Sequence, residues 1–208
     1  VSREIRLYIE GGGDREKTKR RLRTAFGVFL SSLRARAEGK GVRWNVAVCG
    51  SGGAAYDNYK TALKSHPDAF NVLLVDAEGP VATQSPWHHL GTRPEHQWKN
   101  PGVEDKHCHL MTQIMEAWFL ADPERLGEYY RQGFNPNALP KSKNVEGIDK
   151  QRVLQSLDDA TRATQKGRYH KTRHAPEILE RIRPEAVCSA ARLCKRLFDT
   201  LQSEIDGA

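Results

Sequence analysis

The chain is poor in cysteine: of its 208 residues only Cys49, Cys108, Cys188 and Cys194 are thiols, and no two form a C-x-x-C pair. That spacing argues against a zinc ribbon or a disulfide framework and suits reduced thiols in a cytoplasmic protein. No window approaches the ~18 consecutive apolar residues of a membrane span. Residues 1–9 run straight into a strand-like pattern instead of a secretory signal, so a cytoplasmic location is the expectation. There is no internal repeat and no low-complexity tail. Acid is scarce in two segments. Residues 15–43 carry ten lysines and arginines against only Glu16 and Glu38, and residues 166–174 carry four basic residues, two histidines and no acid. The formal net charge of +7 makes a polyanionic partner plausible, although a solvated face explains either cluster alone equally well.

The apolar pattern then sets an order of elements. Ile5, Leu7 and Ile9 alternate with Arg6 and Tyr8, which marks a strand. Three glycines follow, and Leu22, Phe26, Phe29, Leu33 and Ala37 keep helical spacing across residues 14–38. A second strand is expected over residues 42–50, a helix over 54–65, and a third strand in the run FNVLLVD, which is apolar enough to be covered on both faces. Residues 80–103 hold four prolines and two tryptophans and read as a long irregular loop, with Trp87 and Trp98 more suited to packing it down than to stacking on bases. HCHLMTQ reads as a fourth strand, and the segment from Glu116 to Tyr130 as a helix broken at Pro123. The rest reads as helices over residues 150–164, 176–183 and 184–205, with Pro176 and Pro184 in first turns. The fold class is therefore α/β, with residues 1–122 as a parallel-sheet core and 123–208 as a helical extension packed on it.

Carboxylates gather where that sheet would bind ligands, beyond the carboxyl ends of its strands. Glu10 ends the first strand, and Asp76 and Glu78 end the third. In extended geometry Asp76 and Glu78 point the same way. Three bare carboxylates in one place repel one another, and a hard divalent cation, Mg²⁺ or Mn²⁺, resolves the conflict. The glycines between Glu10 and Asp14 let a phosphodiester approach closely. They do not make a nucleotide P-loop, because no G-K-[ST] follows. Asp14 is a further metal-ligand candidate and equally a helix cap. Glu116 is a candidate ligand or a first-turn acid answering the helix dipole. Asp122, before Pro123, reads as a cap, and Trp118 and Phe119 as core. His107 and His109 alternate on one strand but lack a third zinc ligand. Lys166, Arg168, His170 and Lys171 are candidates for holding phosphate oxygens, with Tyr169 available to stack on a base.

The strand ending in IEG at residues 9–11, the β-α-β-α-β order and VDAE at residues 75–78 resemble Toprim domains. The match spans about the first 120 residues and departs from the family pattern in having Glu78 where an aspartate is usual. The spacing of Glu10 and Asp14 looks like the nuclease branch that includes the OLD family. MEAWFLAD at 115–122 and KGRYHK at 166–171 are similar to a Toprim-like bacterial family of unknown function whose genes often lie beside AAA-type ATPases in anti-phage defence loci. The resemblance implies a Rossmannoid, Toprim-like sheet and a metal-dependent nuclease acting on DNA or RNA. Glu10, Asp76 and Glu78 would be catalytic, and Asp14 and Glu116 would complete a second metal position. An ATPase partner and self-association are the implied assemblies. The rival reading is a non-catalytic subunit that docks on the ATPase or on nucleic acid, and a third is hydrolysis of a mononucleotide in a deep base pocket.

Overall fold

A computed structural model describes residues 3–94 and 97–208; Glu95 and His96, within the expected long loop, lie outside the described residues. Four strands, β1 (Glu4–Glu10), β2 (Arg43–Gly50), β3 (Phe70–Asp76) and β4 (Cys108–Met111), form one parallel sheet in the order β2-β1-β3-β4. β3 is buried at every position, as its unbroken apolar run requires when both faces are covered. β2 and β4 are the edge strands, and β2 alternates between exposed and half-buried residues over its first half.

Helices α1 (Glu16–Phe29) and α2 (Ser31–Gly39) connect β1 to β2, and α3 (Gly52–Ser65) connects β2 to β3. The chain thus steps outward from β1 to β2 and then crosses back to place β3 on the other side of β1. The strand order reverses between β1 and β3, and that switch point opens a crevice at the sheet's carboxyl edge. One core, built from Phe26, Phe29, Leu30 and Trp118 with the C-terminal helices, covers the face carrying Leu7 and Leu74. The other, around Tyr59, Trp87 and Trp98, covers the face carrying Tyr8 and Val75.

Several expected helices are divided. The single helix over residues 14–38 breaks at Leu30, whose φ of −99° and ψ of 15° leave the helical region while its side chain stays fully buried. The long loop contains a short helix, α4 (Pro86–Thr92), capped by the Ser85 hydroxyl. Residues Met115–Ala121 form a 3-10 segment, followed by α5 (Pro123–Tyr130), α6 (Lys150–Thr161), α7 (Lys171–Leu179), α8 (Pro184–Ala190) and α9 (Arg192–Asp206). α7 begins five residues before the expected start, so Pro176 lies inside it and not in its first turn. The expected helix over 184–205 is cut at Ala191, which is extended at φ −133°.

Trp118 and Phe119 are core, as expected. Asp122 occupies the N-cap position of α5 but makes no capping bond there. Its buried carboxylate instead accepts from the Arg183 backbone N–H at 2.9 Å and from both arms of the Arg183 guanidinium, at 2.9 and 2.7 Å, pinning the start of α8 to α5. Burial alone would raise the Asp122 pKa, but these bonds outweigh it and hold the carboxyl below its ordinary 3.8. A carboxylate with a lowered native pKa stabilises the fold above its unfolded pKa and loses that contribution as pH falls through the native value. Asp122→Asn is expected to cost about 1.5–3 kcal/mol at pH 7 by urea denaturation. The gap from wild type should close as the pH drops below about 4; a gap that stays constant with pH would rule the ion pair out as its source.

Candidate metal centre

The carboxyl edge between β1 and β3 positions the acids. At the end of β1 the register with β2 slips between Ile9 and Glu10, a bulge that re-aims the last side chain of the strand. The Glu10 Oε2 atom then accepts the Asp76 backbone N–H from β3 at 3.0 Å. Gly52, at the start of α3, makes room for this arm. A Cβ there would stand 2.8 Å from Glu10 Oε2 and 2.9 Å from the Trp98 ring. The glycine loop is tied down at both ends. The Gly11 N–H donates to Gly50 O at 2.7 Å, and the Thr18 hydroxyl donates to the Gly12 carbonyl. Gly12 has a φ of +79°, and a Cβ on it would meet the Lys19 backbone at 2.7 Å, so this turn requires glycine.

Asp76 is only 4% exposed, and its Oδ1 accepts the Met115 N–H at 2.8 Å. Glu78 does not continue the strand. Its φ is +60°, a left-handed conformation that costs a non-glycine residue about 1–3 kcal/mol. The expectation that Asp76 and Glu78 point the same way by strand alternation therefore fails. Glu78 reaches the same place by a turn, held by its N–H to Gln113 O at 2.7 Å and by an ion pair with Lys150 at 2.8 Å. Glu10, Asp76 and Glu78 each contribute an oxygen to a set lying within 4.8 Å of one another. Such a group could hold a divalent cation.

Two further acids stand beside this group. Asp14 is exposed and lines the same cavity, of about 250 Å³, but does not join the three converging carboxylates. It also does not cap α1, whose N-cap is Arg15 with no side-chain bond. Glu116 is fully buried in the 3-10 segment after β4. Its Oε1 accepts from the Tyr169 hydroxyl at 3.0 Å and lies 3.6 Å from the Lys171 ammonium, while its Oε2 has no hydrogen-bond partner among the described residues. A buried carboxylate oxygen without a partner is the kind of donor that a cation or ordered water satisfies.

Lys171 links the acids. Its ammonium stands 3.9 Å from Asp76 Oδ2 as well as beside Glu116. Desolvation would lower its pKa, but the charges of Glu116, Asp76, Glu10 and Glu78 more than reverse that and raise it. One ammonium does not neutralise the group. Burial and then the Glu10 charge push the Asp76 pKa well above its ordinary value, and burial likewise raises that of Glu10.

The proposed phosphate-holding cluster is dispersed by the fold. Lys171 faces the acids, Arg168 is paired with Asp158, and Lys166 sits 4.6 Å above the Tyr129 ring. His170 is exposed at the N-cap of α7. Tyr169 is committed to Glu116 and packs on Phe119, so it does not offer a free face for a base. β4 begins at Cys108, so His107 ends a 3-10 turn and only His109 lies on the strand, and neither has the setting of a zinc ligand. His109 is fully buried between Lys106 O and Arg196, with burial and that cation lowering its pKa to about 3, and His107 is bonded to Asn71 O. Trp98 stacks on Tyr56 at 5.0 Å and Trp87 is buried, so both pack the loop down. Sequence reasoning also missed Arg93. It is buried behind the site and donates to Asp76 O at 3.2 Å, and no local motif announced it.

Residues 9–202 match the model of a domain of unknown function, DUF4276. No curated protein and no solved structure matches the chain.

Raised carboxylate pKa values carry a defined stability consequence. The folded protein binds protons more tightly than the unfolded chain at Asp76 and Glu10, so metal-free stability falls as pH rises through their native values. Asp76→Asn keeps an acceptor for the Met115 N–H and removes one of the repelling charges. It is expected to stabilise the metal-free protein by about 0.5–2 kcal/mol at pH 7 in EDTA, with no gain near pH 3. Thermal unfolding at the two pH values checks this, and a destabilised variant at pH 7 would contradict the repulsion.

Proposed function

We propose that this chain, which belongs to the DUF4276 family, is a divalent-cation-dependent nuclease with a Toprim-like site, cleaving phosphodiester bonds of DNA or RNA. The observation that carries the reading is the convergence of Glu10, Asp76 and Glu78 oxygens within 4.8 Å at the switch point of a parallel sheet, beside the unpartnered Glu116 Oε2. The donor set is all carboxylate oxygen, which suits Mg²⁺ or Mn²⁺ and not a metal that prefers nitrogen or sulfur. Glu10, Asp76 and Glu78 would hold the cation, with Asp14 and Glu116 placed for a second position. When bound, such a cation supplies Lewis-acid stabilisation of phosphate charge and lowers the pKa of a coordinated water.

The chain's own groups would do the rest. Glu10, aimed at the cluster by its bond from the Asp76 N–H, would be the group to take up a proton from an attacking water. Asp76, fixed by the Met115 N–H, keeps one oxygen turned toward the cluster. The Lys171 ammonium, held by Asp76 and Glu116, offers positive charge to a non-bridging phosphate oxygen. Gly11 and Gly12 let the turn pack closely on α1, and Gly13, where a Cβ would meet nothing, would leave room for a sugar-phosphate chain beside the acids. An ATPase partner, implied by the family resemblance, is the proposed trigger.

Calorimetry with Mg²⁺ and Mn²⁺ tests the site directly. Glu10→Gln and Asp76→Asn are each expected to weaken binding by more than about tenfold, and to abolish cleavage of a labelled oligonucleotide with the fold intact by circular dichroism. Binding that both variants leave unchanged would sink the proposal and favour the non-catalytic docking subunit.

A further inference from the structure

The basic segment over residues 15–43 divides into paired and unpaired charges once folded. Arg34 pairs with Glu38, Arg36 and Lys40 with Asp206, Arg43 with Glu4, and Arg21 with Glu177. Lys19 pairs with Glu16 on the same helix. Among the described residues, Arg15, Lys17, Arg20 and Arg23 have no ion-pair partner, and all four are exposed. Arg15 is the N-cap of α1, and Lys17, Arg20 and Arg23 follow on the helix.

These charges border a groove. Lys17, Lys19, Arg20 and Arg23 line a surface depression of about 280 Å³ whose other wall is Val48 of the edge strand β2, with Glu16 as its only acid. The same helix faces the acid cavity with Thr18 and Leu22. Lys19 joins the two. Its backbone backs onto Gly12, and its side chain passes 3.9 Å from where a Cβ on Gly50 would stand; both glycines line the acid cavity. α1 thus lies between a strip of exposed cations without ion-pair partners among the described residues and the cavity that Glu10 and Asp76 line.

We propose that the groove between α1 and β2 is the track along which a polynucleotide's phosphate backbone approaches the carboxylates, with Lys17, Arg20 and Arg23 as its phosphate contacts. This rests on the nuclease reading of the site and deepens it by assigning the substrate's path. Charge complementarity carries the argument. Unpaired exposed cations attract a polyanion by counterion release, whereas the ion-paired arginines of α2 have little left to offer. A repelling acid cluster alone would drive phosphates away, so a binding surface of opposite sign beside it is what such a site needs. In residues 166–171 Arg168 and Lys171 already stand beside acids, which leaves fewer free cations there than at the start of α1.

The test compares two double variants with equal charge loss, Arg20→Ala/Arg23→Ala and Arg34→Ala/Arg36→Ala. Fluorescence anisotropy with labelled single-stranded DNA and RNA 20-mers is measured in EDTA across a salt series. The α1 variant is expected to bind at least about tenfold more weakly, with a log–log salt slope shallower by about 1.4, while the α2 variant stays near wild type. Both substitutions lie on exposed helix positions and favour helix, so the fold is expected to hold. Equal losses in the two variants, no loss in either, or no binding by the wild-type protein at low salt would each overturn the groove. Mg²⁺ calorimetry on the α1 variant separates this from the underlying reading, because its metal affinity is expected to be unchanged.

Discussion

Mutual repulsion among buried carboxylates is the constraint around which this molecule is arranged. Glu10, Asp76 and Glu116 are drawn out of water at one edge of the sheet, with Glu78 turned toward them. The groups that offset this come from every part of the chain. The Asp76 and Met115 N–H groups hold Glu10 and Asp76. Lys150 of α6 holds Glu78, Tyr169 holds Glu116, and Lys171 of α7 stands between two of the acids. Buried charge is tolerated only where partners are this numerous, and even here Asp76 is kept well above its ordinary pKa. A site kept in that condition fits a protein that spends stability on function.

The helical half is for this reason part of the site and not an appendage. The face of the sheet that covers Leu7 and Leu74 shares one core with α5 to α9, and the Asp122–Arg183 pair locks α8 against α5. α1 packs on α7, with Arg21 reaching Glu177 and the Arg173 carbonyl. Lys171 is the first residue of that same helix α7. Among the described residues no helix is long and apolar enough to cross a membrane, and the apolar stripes of α5 to α9 pack into this shared core.

The sheet was legible because its signals are local. An apolar run buried on both faces can hardly be anything but β3, and acids at the ends of two such strands meet once the strand order reverses between them. Glu78 was found for a reason that the structure does not support. Its residue type was right for the site, but alternation does not apply to a residue with φ +60°, and nothing in VDAE announces the turn. The breaks at Leu30 and Ala191 were hidden for a similar reason: apolar spacing persists across each break because both flanking helices face the same core. Partner choice was the least readable feature. Which arginine finds a carboxylate depends on residues more than a hundred positions away, as with Arg36 and Asp206.

That last point changes the meaning of the protein's positive charge. Two basic clusters of equal standing in the sequence become unequal in the fold. In one, Arg168 is paired with Asp158 and Lys171 stands among the acids of the site. In the other, pairing with Glu38, Asp206 and Glu4 removes the distal half, Lys19 and Arg21 pair with Glu16 and Glu177, and Arg15, Lys17, Arg20 and Arg23 are left without ion-pair partners among the described residues. Net charge says how strongly a protein attracts polyanions, but the unpaired charges say where. In this fold they lie at the start of the helix that follows the glycine turn, so five residues, Gly11 to Arg15, separate the strand that supplies Glu10 from the helix that supplies the cations.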